Sequence, residues 1–419
     1  MKFVHAADVH LDSPLHGLER YDGVPVQEMR GATRRAFENV VDLCRDERVD
    51  FLLLAGDLYD GDWRDFGTGL FFAAQMARLR EAGVRVFVVR GNHDAASRIT
   101  RSLRLPDNVH VFATRRPETV VDERLGVAVH GQSFSKAEVT DDLSKAYPAP
   151  RKDLLNIGLL HTSAGGRPGH ANYAPCRAED LVAKGYDYWA LGHVHAREVL
   201  HEDPWVVFPG NLQGRHARET GPKGCTVVDV DDGRIRAVEH RALDVVRWVR
   251  LDVDAAGCGS PGEILERLEA ALRRAMTDAQ GRACAARLHV AGCCGAHGAL
   301  LAGRESWIAD ARALATDLGS GMLWLEKVLL DTAPETDWAD LARGGGPVAE
   351  LLRDIEAVRS DTARRQQLAA AFSELTAKLP AELKEGDDAL CIDADQIERL
   401  LTGVESLLLP RLLGTEFGR

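Results

Sequence analysis

The sequence predicts an α/β fold, on three observations. Five short runs rich in branched and aromatic residues recur through the first 193 positions, helical patterns separate the first three, and each run leads into residues able to ligate a metal. The runs are KFVHAAD (2–8), DFLLLAGD (50–57), VRVFVVRG (84–91), LLNIGLLH (154–161) and YDYWALGH (186–193). Between the first three, GATRRAFENVVDLCRDE and DFGTGLFFAAQMARLREAG repeat apolar residues at helical spacing, and Gly83 closes the second as a C-cap. Strands alternating with helices in this way build a parallel sheet covered by helices.

Shorter strands with turn residues follow, from about Asn108 to Gly131 and from Val199 to His240, the latter with the hairpin signal VDVDDGRIRAV. Near Asp244 the pattern resets. VVRWVRLDVDA and ARLHVAG read as strands, PGEILERLEAALRRAM and SWIADARALATDLG as helices, giving a small βαβα unit. After Pro334 no strand is evident: GGGP (344–347) reads as a hinge, and three amphipathic helices follow. Their apolar faces are Val348, Leu351, Leu352 and Ile355; then Leu368, Ala371, Phe372, Leu375 and Leu379; then Ile397, Leu400, Leu401, Val404, Leu407 and Leu408. Three regions are therefore expected, 1–243, 244–334 and 335–419.

With 45% hydrophobic and 28% charged residues the chain is neither disordered nor fibrous. Its start has no basic segment followed by an apolar one, and no window approaches the roughly 18 apolar residues that span a bilayer, so a soluble, cytoplasmic protein without membrane association is expected. The eight cysteines include no C-x-x-C pair, which argues against a disulfide framework or zinc knuckle. A net charge of −12 is the wrong sign for coating nucleic acid nonspecifically. From Glu335 onward 17 acidic residues face 10 basic ones, so a polyanion has to bind the front of the chain.

The strand ends bring the chemistry. Strand one leads to Asp8 and His10, strand two to Gly56 and Asp57, strand three to Asn92, His93 and Asp94, strand four to His161, and strand five to His193 and His195. Any one of these is more often a cap than a ligand. Five in succession at the carboxyl ends of strands, where α/β folds place their sites, point to one locus. Alternation in D-V-H and H-V-H is expected to put both side chains of each triplet on one side of an extended backbone. Two Asp, one Asn and four His suit a pair of ions such as Mn²⁺, Fe²⁺ or Zn²⁺ better than Ca²⁺ or an iron–sulfur cluster. Two such ions roughly 3.5–4 Å apart clamp the attacking and leaving oxygens of a phosphoester. Gly56, Gly91 and Gly192 allow the close backbone approach this crowding needs.

The ordered series D-x-H (8–10), G-D (56–57), G-N-H-D (91–94), H (161) and G-H-x-H (192–195) resembles the calcineurin-like metallophosphoesterase superfamily over roughly residues 1–240. HAADVHLDSPL (5–15), FPGNLQGRHARETGPKGC (208–225) and the small βα unit behind them resemble the SbcD nuclease subunits, YhaO-like exonucleases in particular. LYDGDW after G-D departs from the protein phosphatases of that superfamily. The resemblance implies a four-layer α/β/β/α sandwich with a small α+β capping domain and a helical C-terminal tail. It implies Asp8, His10 and His195 on one metal, Asn92, His161 and His193 on a second, and Asp57 bridging them. His93 would act on the scissile phosphate, oriented by Asp94. The cofactors implied are two divalent ions, Mn²⁺ first, with Fe²⁺, Zn²⁺ or Mg²⁺ as alternatives. The implied activity is a DNA exonuclease and endonuclease of double-strand-break repair, acting on DNA ends with an SMC-like ABC ATPase of the SbcC or YhaN kind.

Other features allow two readings each. Arg98, Arg101 and Arg104 at spacing three form either a basic stripe for a phosphate backbone or a solvated face. Asn211, Gln213, Arg215 and His216 lie in a glycine-flanked loop, as phosphate donors or as a tight turn. His5 is expected behind the ligands, on the far side of its strand or in support of them. The acidic helical tail suits docking to the ATPase better than DNA, and a homodimer is left open. Two other functions compete: a small-molecule phosphodiesterase or phosphatase with the same metals, and a catalytically silent DNA-binding scaffold, against which the complete ligand set argues.

Overall fold

The computed structural model describes residues 1–13, 31–60, 66–96, 104–165, 173–335, 341–378, 393–398, 400, 401, 403, 404, 408 and 412. Four strands, β1 (Lys2–Ala6), β2 (Phe51–Ala55), β3 (Arg85–Val89) and β4 (Val109–Val111), run parallel. The helices α1 (Ala32–Asp46) and α2 (Phe66–Glu81) and the short α3 (Asn92–Ala96) lie between them in the chain. A second sheet follows: β5 (Glu118–Asp122), β6 (Val127–Gly131), β7 (Leu155–His161), the helix α4 (Ala178–Ala183), β8 (Tyr188–Gly192), β9 (Glu198–Glu202) and β10 (Trp205–Phe208). The hairpin β11 (Gly224–Asp231) and β12 (Arg234–Ala242) then returns to the first sheet, β11 antiparallel to β1. The sheet orders are β12-β11-β1-β2-β3-β4 and β5-β6-β7-β8-β10-β9.

Alternation along the strands sorts the core into three layers of side chains. Val4, Ala6, Leu52, Leu54, Val86 and Val88 face α1 and α2, meeting Phe37, Val40, Val41, Cys44, Phe72, Met76 and Leu79. The opposite residues of the same strands, Phe3, Phe51, Leu53, Phe87 and Val89, pack between the two sheets against Val127, Val129, Ile157, Leu159 and Tyr188. Leu160, Trp189, Leu191, Val206 and Phe208 line the outer face of the second sheet under Leu181 of α4. This is the calcineurin-like α/β/β/α arrangement. Phe37 on α1 is fully buried, and its truncation to Ala is expected to cost about 3–5 kcal/mol. His5 lies between the sheets, its Nδ1 3.0 Å from Tyr188 Oη and its Nε2 3.1 Å from the Leu191 carbonyl.

The chain divides into two compact units, one of residues 1–250, 275–287 and 321–326, the other of 251–274, 288–320 and 327–419. A third sheet consists of β13 (Val246–Asp254), β14 (Ala283–Cys293) and β15 (Leu323–Ala333). The helices of this part are α5 (Pro261–Ala279), α6 (His297–Ala302) and α7 (Arg304–Gly319). β15 is a strand the sequence pattern hides. Its side chains 323–326 are all buried and Lys327 is exposed, so the period-two signal breaks in the middle. Three further helices follow, α8 (Pro347–Ser360), α9 (Thr362–Ala371) and α10 (Ser373–Lys378). Pro347 opens α8 at a position where its missing N–H costs nothing. The Leu375 side chain and the residues Leu379 and Leu407 lie outside the described residues. Among the described residues no helix is long and apolar enough to cross a membrane.

Candidate metal centre

The loops leaving β1, β2, β3, β7 and β8 meet at one end of the two large sheets. The first two are laced together by the main chain: Asp8 N–H donates to Gly56 O at 3.0 Å, His10 N–H to Asp57 O at 3.0 Å and Leu11 N–H to Leu58 O at 2.9 Å. Extended alternation does not aim the side chains, contrary to the sequence expectation. Asp8, His10 and Asp57 adopt left-handed backbone with φ of 50°, 45° and 51°, and His193 has φ 108°. Such conformations are costly for non-glycine residues and concentrate at functional sites.

Three sets of ligand atoms each lie within 4.8 Å of one another: Asp8, His10 and His195; Asp57, His161 and His193; and His10, Asp60 and His93. The first set holds the three residues expected on one metal, and the second holds His161 and His193 together with Asp57, the residue expected to bridge the two. Asn92 joins the second, its Oδ1 3.0 Å from His161 Nε2. Hydrogen bonds decide which ring nitrogens keep a lone pair. His161 Nδ1–H donates to Ala55 O at 2.9 Å, and His195 Nδ1–H to Glu219 Oε1 at 2.7 Å, which turns Nε2 of both toward the site. His195 Nε2 meets His10 Nε2 at 3.3 Å. Two facing imidazole nitrogens need a shared proton or a shared cation. The Asp8 carboxylate, within reach of both rings, favours the cation.

The charge state fits a divalent ion as well. Burial, with the neighbouring Asp57 charge, pushes the Asp8 carboxyl well above the ordinary carboxylate value, although both its oxygens accept from His193 N–H at 3.1 and 3.0 Å. Burial pushes Asp57 the same way, but His161, His10 and His93 together hold it below the ordinary value. Burial lowers His10 to about 4 and lowers His161 as well, which favours the neutral rings that ligation requires. The glycines leave no room to spare. A methyl group on Gly91 would collide with Asp57 Oδ1 and the His161 ring, and one on Gly192 with the Ala55 carbonyl.

His93 lies beside both groups with 38% of its side chain exposed. The carboxylate at its ring is Asp60, Nδ1 to Oδ1 3.0 Å, and this contact raises the His93 pKa. Asp94, the residue expected to orient His93, raises the His93 pKa through its charge. Its carboxylate is fully buried and accepts from the N–H groups of Leu58, Tyr59 and Gly91 at 2.9, 3.1 and 3.0 Å, tying two ligand loops together. It adds only the last of the charges that raise His93.

The expected DNA-contact residues separate. Asn211 is fully buried and donates to Gln213 O and Glu219 Oε2, which braces the loop. Gln213 is likewise spent on the main chain, donating to Gly214 O and Val246 O. Arg215 reaches the rim of the site, 3.3 Å from His195 Nδ1 and 3.4 Å from Ser13 Oγ. The His216 side chain is half exposed, 3.7 Å from Glu219. Arg104 is exposed outside any regular element, and Arg98 and Arg101 lie outside the described residues. Sequence reading missed Asp60, Glu219 and Lys223, whose Nζ donates to His195 O at 2.7 Å. Only Asp60 left a trace, three residues beyond Asp57 in GDLYD.

Known protein families match the chain over two stretches. Residues 1–197 match the calcineurin-like phosphoesterase family, and residues 248–333 match the middle domain of metallophosphoesterase YhaO. A Bacillus subtilis protein described as an uncharacterized metallophosphoesterase YhaO is 37% identical over 273 residues, covering 64% of this chain and 67% of that one. The DNA double-strand break repair protein Mre11 of Methanopyrus kandleri is 28% identical over 287 residues, covering 60% of this chain and 58% of its own length. Its namesake from Sulfurisphaera tokodaii is 25% identical over 264 residues, covering 58% and 63%. The chain thus spans less than two thirds of these two archaeal relatives. A crystal structure of a dimetal phosphatase from Danio rerio aligns over 55% of this chain and 93% of its own, with 14% identity and a TM-score of 0.34.

Proposed function

The chain belongs to the calcineurin-like metallophosphoesterase family, in its YhaO-like branch, and we propose that it is a metal-dependent nuclease acting on DNA ends. The observation that supports this reading most is the pairing of two ligand groups, Asp8–His10–His195 and Asp57–His161–His193, with the partly exposed His93 outside both. Two divalent ions, Mn²⁺ by preference, would supply the Lewis acidity and the nucleophile for phosphodiester hydrolysis. Asp57 would serve both groups, and Asn92 would add a neutral oxygen to the second. His93, held through Nδ1–H by Asp60, which favours its imidazolium form, would give the Nε2 proton to the leaving oxygen and become neutral. Arg215 at the rim would attract the phosphate backbone.

In this reading residues 1–243 form the nuclease domain, 244–334 a capping and DNA-binding domain, and 335–419 a region for an SMC-like ABC ATPase of the SbcC or YhaN kind. The archaeal relatives named for double-strand break repair support DNA as substrate, because a small phosphodiester needs neither a second domain nor a tail. On the tail, Leu400, Val404, Leu408 and Leu412 follow one another at spacing four on helical backbone, each 38–43% exposed. Such a stripe suits an apolar groove on a partner.

The test is cleavage of linear duplex DNA by the full chain with and without Mn²⁺, with His93→Ala as control. Mn²⁺-dependent cleavage lost in the variant is expected. Hydrolysis of cyclic nucleotides without DNA cleavage would overturn the nuclease reading, and so would tight DNA binding with no hydrolysis of either.

A further inference from the structure

We propose that Glu219 is a positioning residue for the first ligand group alone, so that the two metal sites differ in what holds them. The inference rests on the two-metal reading above. The aiming histidine of each group is fixed by a different kind of acceptor. His161 Nδ1–H donates to a main-chain carbonyl, Ala55 O, at 2.9 Å, an acceptor no side-chain substitution removes. His195 Nδ1–H donates to a side chain, Glu219 Oε1, at 2.7 Å.

Glu219 is placed for this task from all sides. Its side chain is 5% exposed, and its other oxygen accepts from Arg215 N–H at 2.7 Å and Asn211 Nδ2 at 2.9 Å. Arg215 Nη2 adds a third donor, 3.2 Å from Oε1. The same loop also grips the His195 main chain, whose carbonyl accepts from Lys223 Nζ and from Asn211 N–H at 3.3 Å. A carboxylate behind a ligating imidazole fixes the ring's orientation and raises its basicity, and its loss typically weakens metal binding by roughly 10- to 100-fold. Because Glu219 holds Arg215 as well, one residue aims both a ligand and the cation at the rim of the site.

The experiment is Mn²⁺ titration of the full-length chain, followed by calorimetry and by the electron paramagnetic resonance signal of coupled Mn²⁺ pairs. Wild type, Glu219→Gln and Glu219→Asp are compared. The expected result is two sites in the wild type, one of them weakened about 10- to 100-fold in Glu219→Gln with loss of the coupled signal, the other unchanged, and partial recovery in Glu219→Asp. Thermal melting of the metal-free chains reports folding, and Glu219→Asp serves as the test if Glu219→Gln does not fold. Two undisturbed sites in a folded variant would overturn the inference, as would equal weakening of both. A wild-type chain that takes up no Mn²⁺ would sink the metal-centre reading itself and this inference with it.

Discussion

His93 Nδ1 and Asp60 Oδ1 stand 3.0 Å apart, and Ser13 Oγ donates to the other Asp60 oxygen at 2.7 Å. The residue that follows His93, Asp94, spends its carboxylate on three backbone amides. Two neighbouring aspartates therefore do separate jobs, and substitution should part them. Asp60→Asn is expected to lower turnover roughly 10- to 100-fold, in the range of an imperfect general acid, while Mn²⁺ stoichiometry and melting temperature stay near wild type. Asp94→Asn should instead lower stability by about 1–3 kcal/mol, because an amide nitrogen replaces an acceptor facing backbone N–H groups. Thermal melts and single-turnover rates on both variants decide this. Equal loss of stability in the two would refute the division of labour.

Gly91 tests the packing of the centre. A Cβ there overlaps Asp57 Oδ1 and the His161 ring, members of the second ligand group. Gly91→Ala is expected to displace Asp57 and remove Mn²⁺ uptake at micromolar concentrations, whereas Gly83→Ala, whose Cβ meets nothing within 4 Å, should leave uptake intact. Gly83 has φ +75°, so its variant should lose about 1 kcal/mol of stability all the same. Equal metal binding by Gly91→Ala and wild type would disprove the assigned close approach.

The ligand set was legible because it sits at strand ends, where periodicity and residue type signal together. Asp8, Asp57, Asn92, His161, His193 and His195 all lie within three residues of a strand's C-terminal end. Their aiming was not legible, because left-handed backbone at Asp8, His10 and Asp57 leaves no residue signature when the residue is not glycine. Partners were harder still. Glu219 is 24 positions from His195, and only folding of the 211–219 loop brings the two together. The backbone amides that Asp94 accepts from were not legible either, because Leu58 and Tyr59 lie 36 and 35 positions away. Further along the chain, β15 was lost because Glu326 and Lys327 together break the alternation that marks a strand.

His5 predicts a pH dependence of stability away from the metals. Burial between Tyr188 and Leu191 lowers its pKa from 6.5 to about 3. Below pH 6.5 the unfolded chain takes up a proton that the folded chain refuses, so stability conferred by neutral His5 is full above 6.5 and falls as pH drops toward 3. At pH 5 the loss should be about 2 kcal/mol. His5→Phe leaves the Tyr188 hydroxyl and Leu191 carbonyl unsatisfied and should cost about 1–3 kcal/mol at pH 7. On going to pH 5 the gap between wild type and variant should narrow, read from melting midpoints of both chains. A parallel fall would show that His5 does not carry the proton linkage.

The exposed apolar residues Leu400, Val404, Leu408 and Leu412 predict a separation of binding from chemistry. Leu400, Val404, Leu408 and Leu412 each leave about 40% of their surface to solvent, on a tail that carries net negative charge. Burying four such side chains in a partner's groove is worth several kcal/mol at about 25 cal/mol per Å². One aspartate in the stripe would place an unpaired charge in that groove. Val404→Asp and Leu408→Asp are therefore expected to weaken association with an SMC-like ATPase by at least about 100-fold, because an unpaired buried charge costs several kcal/mol. Mn²⁺-dependent hydrolysis of a small phosphodiester should be unchanged, since every ligand lies between Asp8 and His195. Pull-down of the ATPase and hydrolysis of a chromogenic phosphodiester by the same preparations read the two properties apart. Undiminished association in both variants would remove the stripe as the docking surface, and a matching loss of hydrolysis would mean that the tail supports the fold of the catalytic unit instead.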